Sequence, residues 1–240
     1  MVTVDYVVVG AGYAGLMCGS KLIDRGFRTL IFDMREIGGE LAVFSRLSHF
    51  RDIYEKYIKK IEELKEEVPV ERGTVIKSKP VIVNSGAGLR RYEAKKVILC
   101  TGATDAAPPK INILRKRISG VYTLENALRL LSSNTKLGDK ILIASKYDEI
   151  VKITESQLNT LGYNVELSEL DDDFNVIGKT KVEGVEISGT KYKCDTVIIF
   201  GGREPFNPLK LRGLPVGNLV ACTYDYSKVE ENVRSFISKL

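Results

Sequence analysis

The chain has 240 residues, 44% hydrophobic and 28% charged, with 36 lysines and arginines against 31 acids for a net charge of +5. That composition excludes collagen-like and disordered chains, and at about 150 residues per domain it predicts one large domain or two small ones. No apolar run approaches the roughly 20 residues that cross a bilayer, and the first ten residues carry Asp5 and no basic cluster, so the sequence predicts a cytoplasmic protein without signal peptide or span.

The first predicted element is a β-branched strand over Val4–Val9, followed by Gly10, Gly12 and Gly15 in G-x-G-x-x-G spacing and an apolar helix over Leu16–Ile23. Gly26 ends that helix, Arg28–Phe32 forms a second strand, and Asp33 stands at its end. A tight turn, close approach to a pyrophosphate and close helix packing each forbid a side chain, and the N–H groups at the helix start attract phosphate. Asp33 can accept hydrogen bonds from both ribose hydroxyls of an adenosine and would repel a 2′-phosphate, which favours FAD or NAD over NADP. A second glycine turn, Gly38-Gly39, follows five residues later, and Asp52–Glu67 reads as one solvated helix with Ile53, Tyr57, Ile61 and Leu64 on its inner face. Val97 to Gly102 is a buried strand ending in Thr101-Gly102.

In the second half, Gly138–Ala144 predicts a strand, Asp148–Leu161 a helix closed by Gly162, and Asn164–Leu167 another strand. Aligned on the first turn, Ala144 takes the place of Gly10, Lys146 of Gly12 and Glu149 of Gly15, so all three glycines are gone. The sequence predicts no further parallel strands, and Phe174–Phe200 reads as a three-stranded antiparallel meander broken by Gly178, Gly184 and Gly189. Gly217–Asp225 reads as a strand, and Ser227–Leu240 as a closing helix with Ser227 as its cap.

The four cysteines (Cys18, Cys100, Cys194, Cys222) form no C-x-x-C pair and read as reduced thiols, the first three in the core. One His, one Gln and no Trp beside abundant Lys and Glu point to a thermophilic source. The basic residues are not interleaved with aromatics, which argues against nucleic acid despite the net charge.

With its acid after the first turn, its Gly-Gly loop and its strand ending in Cys100-Thr101-Gly102, the sequence resembles the FAD-dependent pyridine nucleotide-disulfide oxidoreductase superfamily. Gly39-Glu40-Leu41 resembles the G-G-Q-L segment of its thioredoxin-reductase-like members. Gly120–Leu128, Cys194–Ile198 and Gly201–Pro205 resemble the flavoprotein subunits of opine dehydrogenase and sarcosine oxidase type.

The resemblance implies an α/β fold: a Rossmann-type FAD-binding domain, with a parallel sheet and antiparallel β additions, carrying a small inserted and truncated NAD-domain-like segment. The FAD domain is expected over residues 1–106 and 200–240, and the insert over 107–199. FAD would then be held by Gly10, Gly12, Tyr13, Ala14 and Gly15 at the pyrophosphate and by Asp33 and Met34 at the adenosine. Gly38, Gly39, Glu40, Leu41, Thr101 and Gly102 would hold the middle of the cofactor, and Thr223 and Asp225 the ribityl end. In the family's A-x-G-D element Thr223 would sit where the Asp belongs, with Asp225 two residues late.

His49, the one histidine of the chain, and Cys222, at a predicted strand end, are the candidate catalytic groups. Without a nicotinamide turn or a close dithiol, the expected function is an FAD-binding oxidoreductase, a subunit of a complex or oligomer, passing electrons between flavin and a small substrate or partner protein. The alternatives are an NAD(P)H-dependent flavin reductase and a non-catalytic FAD-binding scaffold. No metal is expected.

Overall fold

The computed structural model describes residues 2–106, 118–146 and 148–240. The chain begins with β1 (Val2–Val9), α1 (Tyr13–Asp24), β2 (Thr29–Asp33), α2 (Glu40–Phe44), α3 (Ser48–Ile53) and α4 (Glu55–Glu67). Then come β3 (Glu71–Arg72), β4 (Thr74–Ser78), β5 (Val81–Ser85), β6 (Gly88–Leu99) and β7 (Ala103–Asp105). The middle holds β8 (Val121–Thr123), α5 (Leu124–Ser132), β9 (Lys140–Ser145), α6 (Glu149–Thr160), β10 (Asn164–Glu169), β11 (Phe174–Ile177), β12 (Gly184–Ile187) and β13 (Thr190–Tyr192). The last elements are β14 (Thr196–Phe200), β15 (Arg203–Pro205), β16 (Leu214–Pro215), α7 (Asn218–Ala221) and α8 (Tyr226–Ile237).

Two compact units result. The first comprises Met1–Ser45, Tyr54–Thr104 and Glu204–Leu240, and the second Arg46–Ile53 and Asp105–Arg203. In the first unit a sheet runs β3-β2-β1-β6-β5-β4, with β16 also paired to β6. β1 lies parallel to both β2 and β6, whereas β4, β5 and β6 are antiparallel. Val7 and Val8 are adjacent and both fully buried, as a strand covered on both faces requires. Leu16, Cys18 and Leu22 bury the inner stripe of α1, which packs on β1 and β2 and against α4 and α8.

The predicted helix over Asp52–Glu67 is in fact two helices, broken at Tyr54. That side chain is buried, stacks on Phe44 (4.8 Å between ring centroids) and donates its hydroxyl to the carbonyl of Tyr224 (3.0 Å). Ile61 and Leu64 bury the inner face of α4 as expected, but Ile53 ends α3 with 54% of its surface exposed.

In the second unit, β10, β9, β14 and β8 form a parallel sheet in that order, and β11, β12 and β13 a separate antiparallel one. The expectation of missing parallel strands is therefore corrected. Thr196–Phe200 leaves the meander and enters the parallel sheet between β9 and β8, and every residue in it is buried. A continuous β-branched run with no polar alternation belongs in a doubly covered strand. The meander that remains is Phe174–Tyr192, capped onto the same apolar cluster through Phe174, Val176, Val185 and Ile187.

The C-terminal readings also change. Gly217–Ala221 is not strand: the strand there is β16, and Gly217 caps the short helix α7. The cap of α8 is Asp225, whose Oδ1 accepts the Ser227 N–H (3.0 Å), and not Ser227. Among the described residues no helix is long and apolar enough to cross a membrane.

Candidate functional site

The glycine turn is built by close approach. Gly10 has φ +101°, and a Cβ there would press into the carbonyl of Cys100; a Cβ on Gly15 would overlap the carbonyl oxygen of Gly10. Both positions are closed to any side chain. Gly12, the N-cap of α1, is different: its φ is −77°, and a Cβ would meet only Gly39 Cα at 3.9 Å. It is glycine for a reason other than packing, because the space above it is open.

What stands in that space is the start of α1. The first intrahelical hydrogen bond runs from Leu16 N–H to Gly12 O (3.0 Å), so the N–H groups of Tyr13, Ala14 and Gly15 have no intrahelical acceptor. No side chain caps them, and no acid lies in the first turn. Uncapped N–H groups at the positive end of a 12-residue helix, under a glycine, are what a diphosphate requires.

Asp33, at the end of β2, organises the turn from beside it. Its Oδ2 accepts from Ala11 N–H (2.6 Å) and its Oδ1 from Arg35 N–H (2.7 Å). A carboxylate has about four acceptor positions, so two remain for ribose hydroxyls. The second glycine turn docks onto the first: Gly38 N–H donates to Ala11 O (2.8 Å), and Gly12 and Gly38 form a parallel bridge. From the other side Cys100 N–H donates to Val9 O (2.8 Å), and Thr101 Oγ1 donates to Phe206 O (2.5 Å). Gly10, Gly12, Gly15, Asp33, Gly38, Gly39, Thr101 and Gly102 therefore surround one cradle in the first unit. Its shape and its unsatisfied N–H groups fit FAD.

Other predicted residues serve the cradle less directly. The Tyr13 ring is buried and turns away from the glycines into an aromatic cluster, edge-on to Tyr57 (5.5 Å) and Tyr226 (5.8 Å). Burial holds its hydroxyl well above the usual tyrosine range, so it stays protonated. Leu41 is buried, Glu40 Oε2 accepts from Tyr226 Oη (3.3 Å), and Met34 is exposed. Gly217, at φ +70°, lies against Ala14, and a Cβ there would overlap the alanine methyl.

The strand β16 is followed by Val216, Gly217 and then Asn218 at the start of α7. Asn218 Oδ1 accepts the Thr223 N–H (2.9 Å), Thr223 Oγ1 accepts the Asp225 N–H (3.0 Å), and Asp225 caps α8. Thr223 and Asp225 are thus occupied in holding the loop.

Of the two candidate catalytic groups, His49 belongs to the second unit. It sits on α3, half-buried, and its backbone N–H donates to Gln157 Oε1 on α6 (3.0 Å). Cys222 ends α7 in the left-handed conformation with φ +47°, and its thiol is half-buried. The structure also pairs two cysteines that the sequence kept apart. Cys18 and Cys100 are buried neighbours in the core of the first unit, and the Cys18 thiol together with burial pushes the Cys100 thiol well up. Burial, followed by the nearby Asp195 charge, raises the Cys194 thiol to about 11. Neither is an available thiolate at neutral pH.

The second βα turn, at the end of β9, is sealed. Asp148 caps α6, its carboxylate accepting the Ile150 N–H (3.2 Å), and Glu149 occupies the first turn. Two carboxylates stand where a diphosphate would need free N–H groups. An Asp before a helix is a readable cap signal that the sequence reading, intent on the missing glycines, did not use. Among the described residues no group of three or more His, Cys, Asp or Glu could hold a metal ion.

The fold recurs in solved structures. L-proline dehydrogenase from P. horikoshii superposes with a TM-score of 0.68 at 23% identity, over 85% of this chain and 43% of that one. Thioredoxin reductase from T. acidophilum gives 0.56 at 17% identity over 100% and 99% of the two chains, and that from Lactococcus lactis 0.61 at 14% over 99% and 100%. This chain thus spans less than half of the proline dehydrogenase chain. No curated protein matches it by sequence. Residues 4–144, however, match the family described as pyridine nucleotide-disulphide oxidoreductase. The chain belongs to that family of FAD-dependent oxidoreductases, and FAD is its cofactor.

Proposed function

We propose that this chain is the FAD-carrying subunit of an oxidoreductase that exchanges electrons with a small substrate or a partner protein, with neither a nicotinamide site nor a redox dithiol of its own. The observation that carries the reading is the sealed α6 turn, where the Asp148 carboxylate already accepts a helix N–H and Glu149 adds a second negative charge. A diphosphate brought there would lose those donors and meet like-charge repulsion.

Bound FAD would supply the two-electron chemistry, and the chain's own residues would bind and orient it. The N–H groups of Tyr13 to Gly15 would hold the pyrophosphate, Asp33 the adenosine ribose, and Gly38, Gly39, Thr101 and Gly102 the chain between. Asn218 would take the ribityl end, its Oδ1 engaged by Thr223 N–H and its amide N–H groups left as donors. The insert would then be a structural unit. The buried Cys100 thiol, pushed well up, offers no thiolate for dithiol exchange.

The test is an anaerobic absorption spectrum of the FAD-loaded protein before and after NADH and NADPH. Oxidised-flavin bands that persist with both nucleotides support the reading, and rapid bleaching overturns it. In parallel, a thiol reagent should label one cysteine per folded chain, Cys222; labelling of Cys18 or Cys100 without unfolding would return a dithiol to the mechanism.

A further inference from the structure

Away from the glycine cradle, the first unit carries an open groove of about 590 Å³ between the end of β4, the middle of β6 and the segment 209–213. Six cations line it: Lys77, Lys79, Lys95, Lys96, Lys210 and Arg212. No acid does. Lys95 is paired with Asp5 (2.7 Å), and among the described residues the other five have no carboxylate partner. Setting aside these six and Asp5 leaves 30 basic and 30 acidic residues in the chain, so the groove accounts for the whole net charge of +5.

The walls are fixed rather than loose. Arg212 N–H donates to Ser78 Oγ (2.8 Å), which ties the 209–213 segment to the end of β4. Asn207 clamps Leu211 twice, giving an amide N–H to its carbonyl (3.0 Å) and accepting its N–H (2.9 Å). Between those bonds Lys210 is held at φ +50°, a left-handed conformation that costs a non-glycine residue about 1 kcal/mol or more and persists only when its surroundings impose it. The result is a lysine aimed by a strained, pinned turn into a space already crowded with like charge. Between the cations the floor is apolar: Ile76 is 41% and Leu209 51% exposed, beside Val97 and Leu211.

We propose that this groove is a second binding site, for a small organic polyanion of the phosphate ester class whose non-charged part lies on Ile76 and Leu209. Uncompensated cations at this density repel one another and create a positive potential that a multiply charged ligand neutralises. The volume lies within the roughly 300–1,000 Å³ of small-molecule pockets. No aromatic side chain lines the groove, which removes the stacking platform that single-stranded nucleic acid uses. The site is independent of how the flavin is reduced.

The experiment is calorimetric titration of ATP into FAD-saturated protein, so that the glycine cradle is closed to the probe, at two salt concentrations. Wild-type protein should bind, more weakly at the higher salt. The triple variant Lys77→Gln, Lys79→Gln, Arg212→Gln should bind at least about tenfold less tightly with its flavin spectrum unchanged. All three side chains are exposed, and the double variant Lys79→Gln, Lys210→Gln gives the same reading through a different pair. No ATP binding by wild type, or equal binding by the variants, overturns the proposal. A glutamate-rich peptide or an RNA oligonucleotide that binds in a variant-sensitive way where ATP does not also overturns it, because the occupant is then a macromolecule.

Discussion

The two βα turns of this chain start from the same local plan and end opposite. After β1 the helix begins under Gly12, with no side-chain cap and no acid in its first turn; after β9 it begins under Asp148, with Glu149 next. Both solve the same problem, that the first N–H groups of a helix need acceptors. The second turn supplies the acceptor from within the protein and gains helix stability. The first leaves the acceptor to a ligand and accepts a less stable helix start until one arrives. A dinucleotide site is therefore marked here less by the presence of glycine than by the absence of a cap, and that absence is a property a single substitution can change.

The largest effect should come from making the first turn like the second. Gly12→Asp places a capping carboxylate where φ is −77° and a Cβ has room, so the unliganded protein should lose no stability, since Asp caps at least as well as Gly. FAD affinity should fall at least about a hundredfold, because the carboxylate takes the donors and repels the pyrophosphate. Titration of the apoprotein with FAD, beside thermal melts of both apoproteins, checks this. Normal FAD affinity would mean that the uncapped N–H groups are not the phosphate site.

A smaller effect should distinguish Asn218 from Thr223. Asn218→Ala removes both the acceptor that holds Thr223 N–H and the side chain at the start of α7, and should weaken FAD about tenfold. Thr223→Val leaves that backbone N–H bond in place and should change affinity less. The reverse order would restore the register read from sequence.

Much of the first turn was legible in the sequence because its constraints are local: strand, glycines, helix and terminal acid fall within 33 residues, and each forbids a side chain or demands one. What was not legible depended on distant partners. Tyr54 splits the expected helix because Tyr224 and Phe44 receive its side chain, and both lie far away or on another element. Thr196–Phe200 reads alike in a meander or a parallel strand, and only the flanking β9 and β8 decide. Gly217 lies on Ala14, two hundred residues earlier, and the Cys18–Cys100 contact is of the same kind.

Opening the second turn should cost stability and yield no new activity. Asp148→Ala removes the cap of α6 and should destabilise the protein by about 1 kcal/mol, seen as a lowered melting temperature. It should not allow NADH to bleach the flavin, because Ala144, Lys146 and Glu149 remain where glycines would be needed. Bleaching in this variant alone would show that Asp148 by itself was the lock.

The smallest effect separates the two regions by pH. Glu230 on α8 accepts from Lys56 Nζ on α4 (3.0 Å) and from Arg234 Nη2 (2.7 Å), and α4 and α8 both pack on α1. Its own burial works to raise its pKa, but the two cations outweigh that and hold it below the ordinary glutamate value of 4.5. A depressed folded value means that the pairing contributes stability above the unfolded pKa and loses it as pH falls through the folded one. Both partners are largely exposed, so the contribution is about 0.5–1 kcal/mol at neutral pH. Glu230→Gln should be less stable than wild type by that amount at pH 7, with the difference closing toward pH 3. Denaturant melts of both variants across that range compare the two helices directly, and a Glu230→Gln deficit that persists at pH 3 would show that packing, not charge, ties α8 to α4.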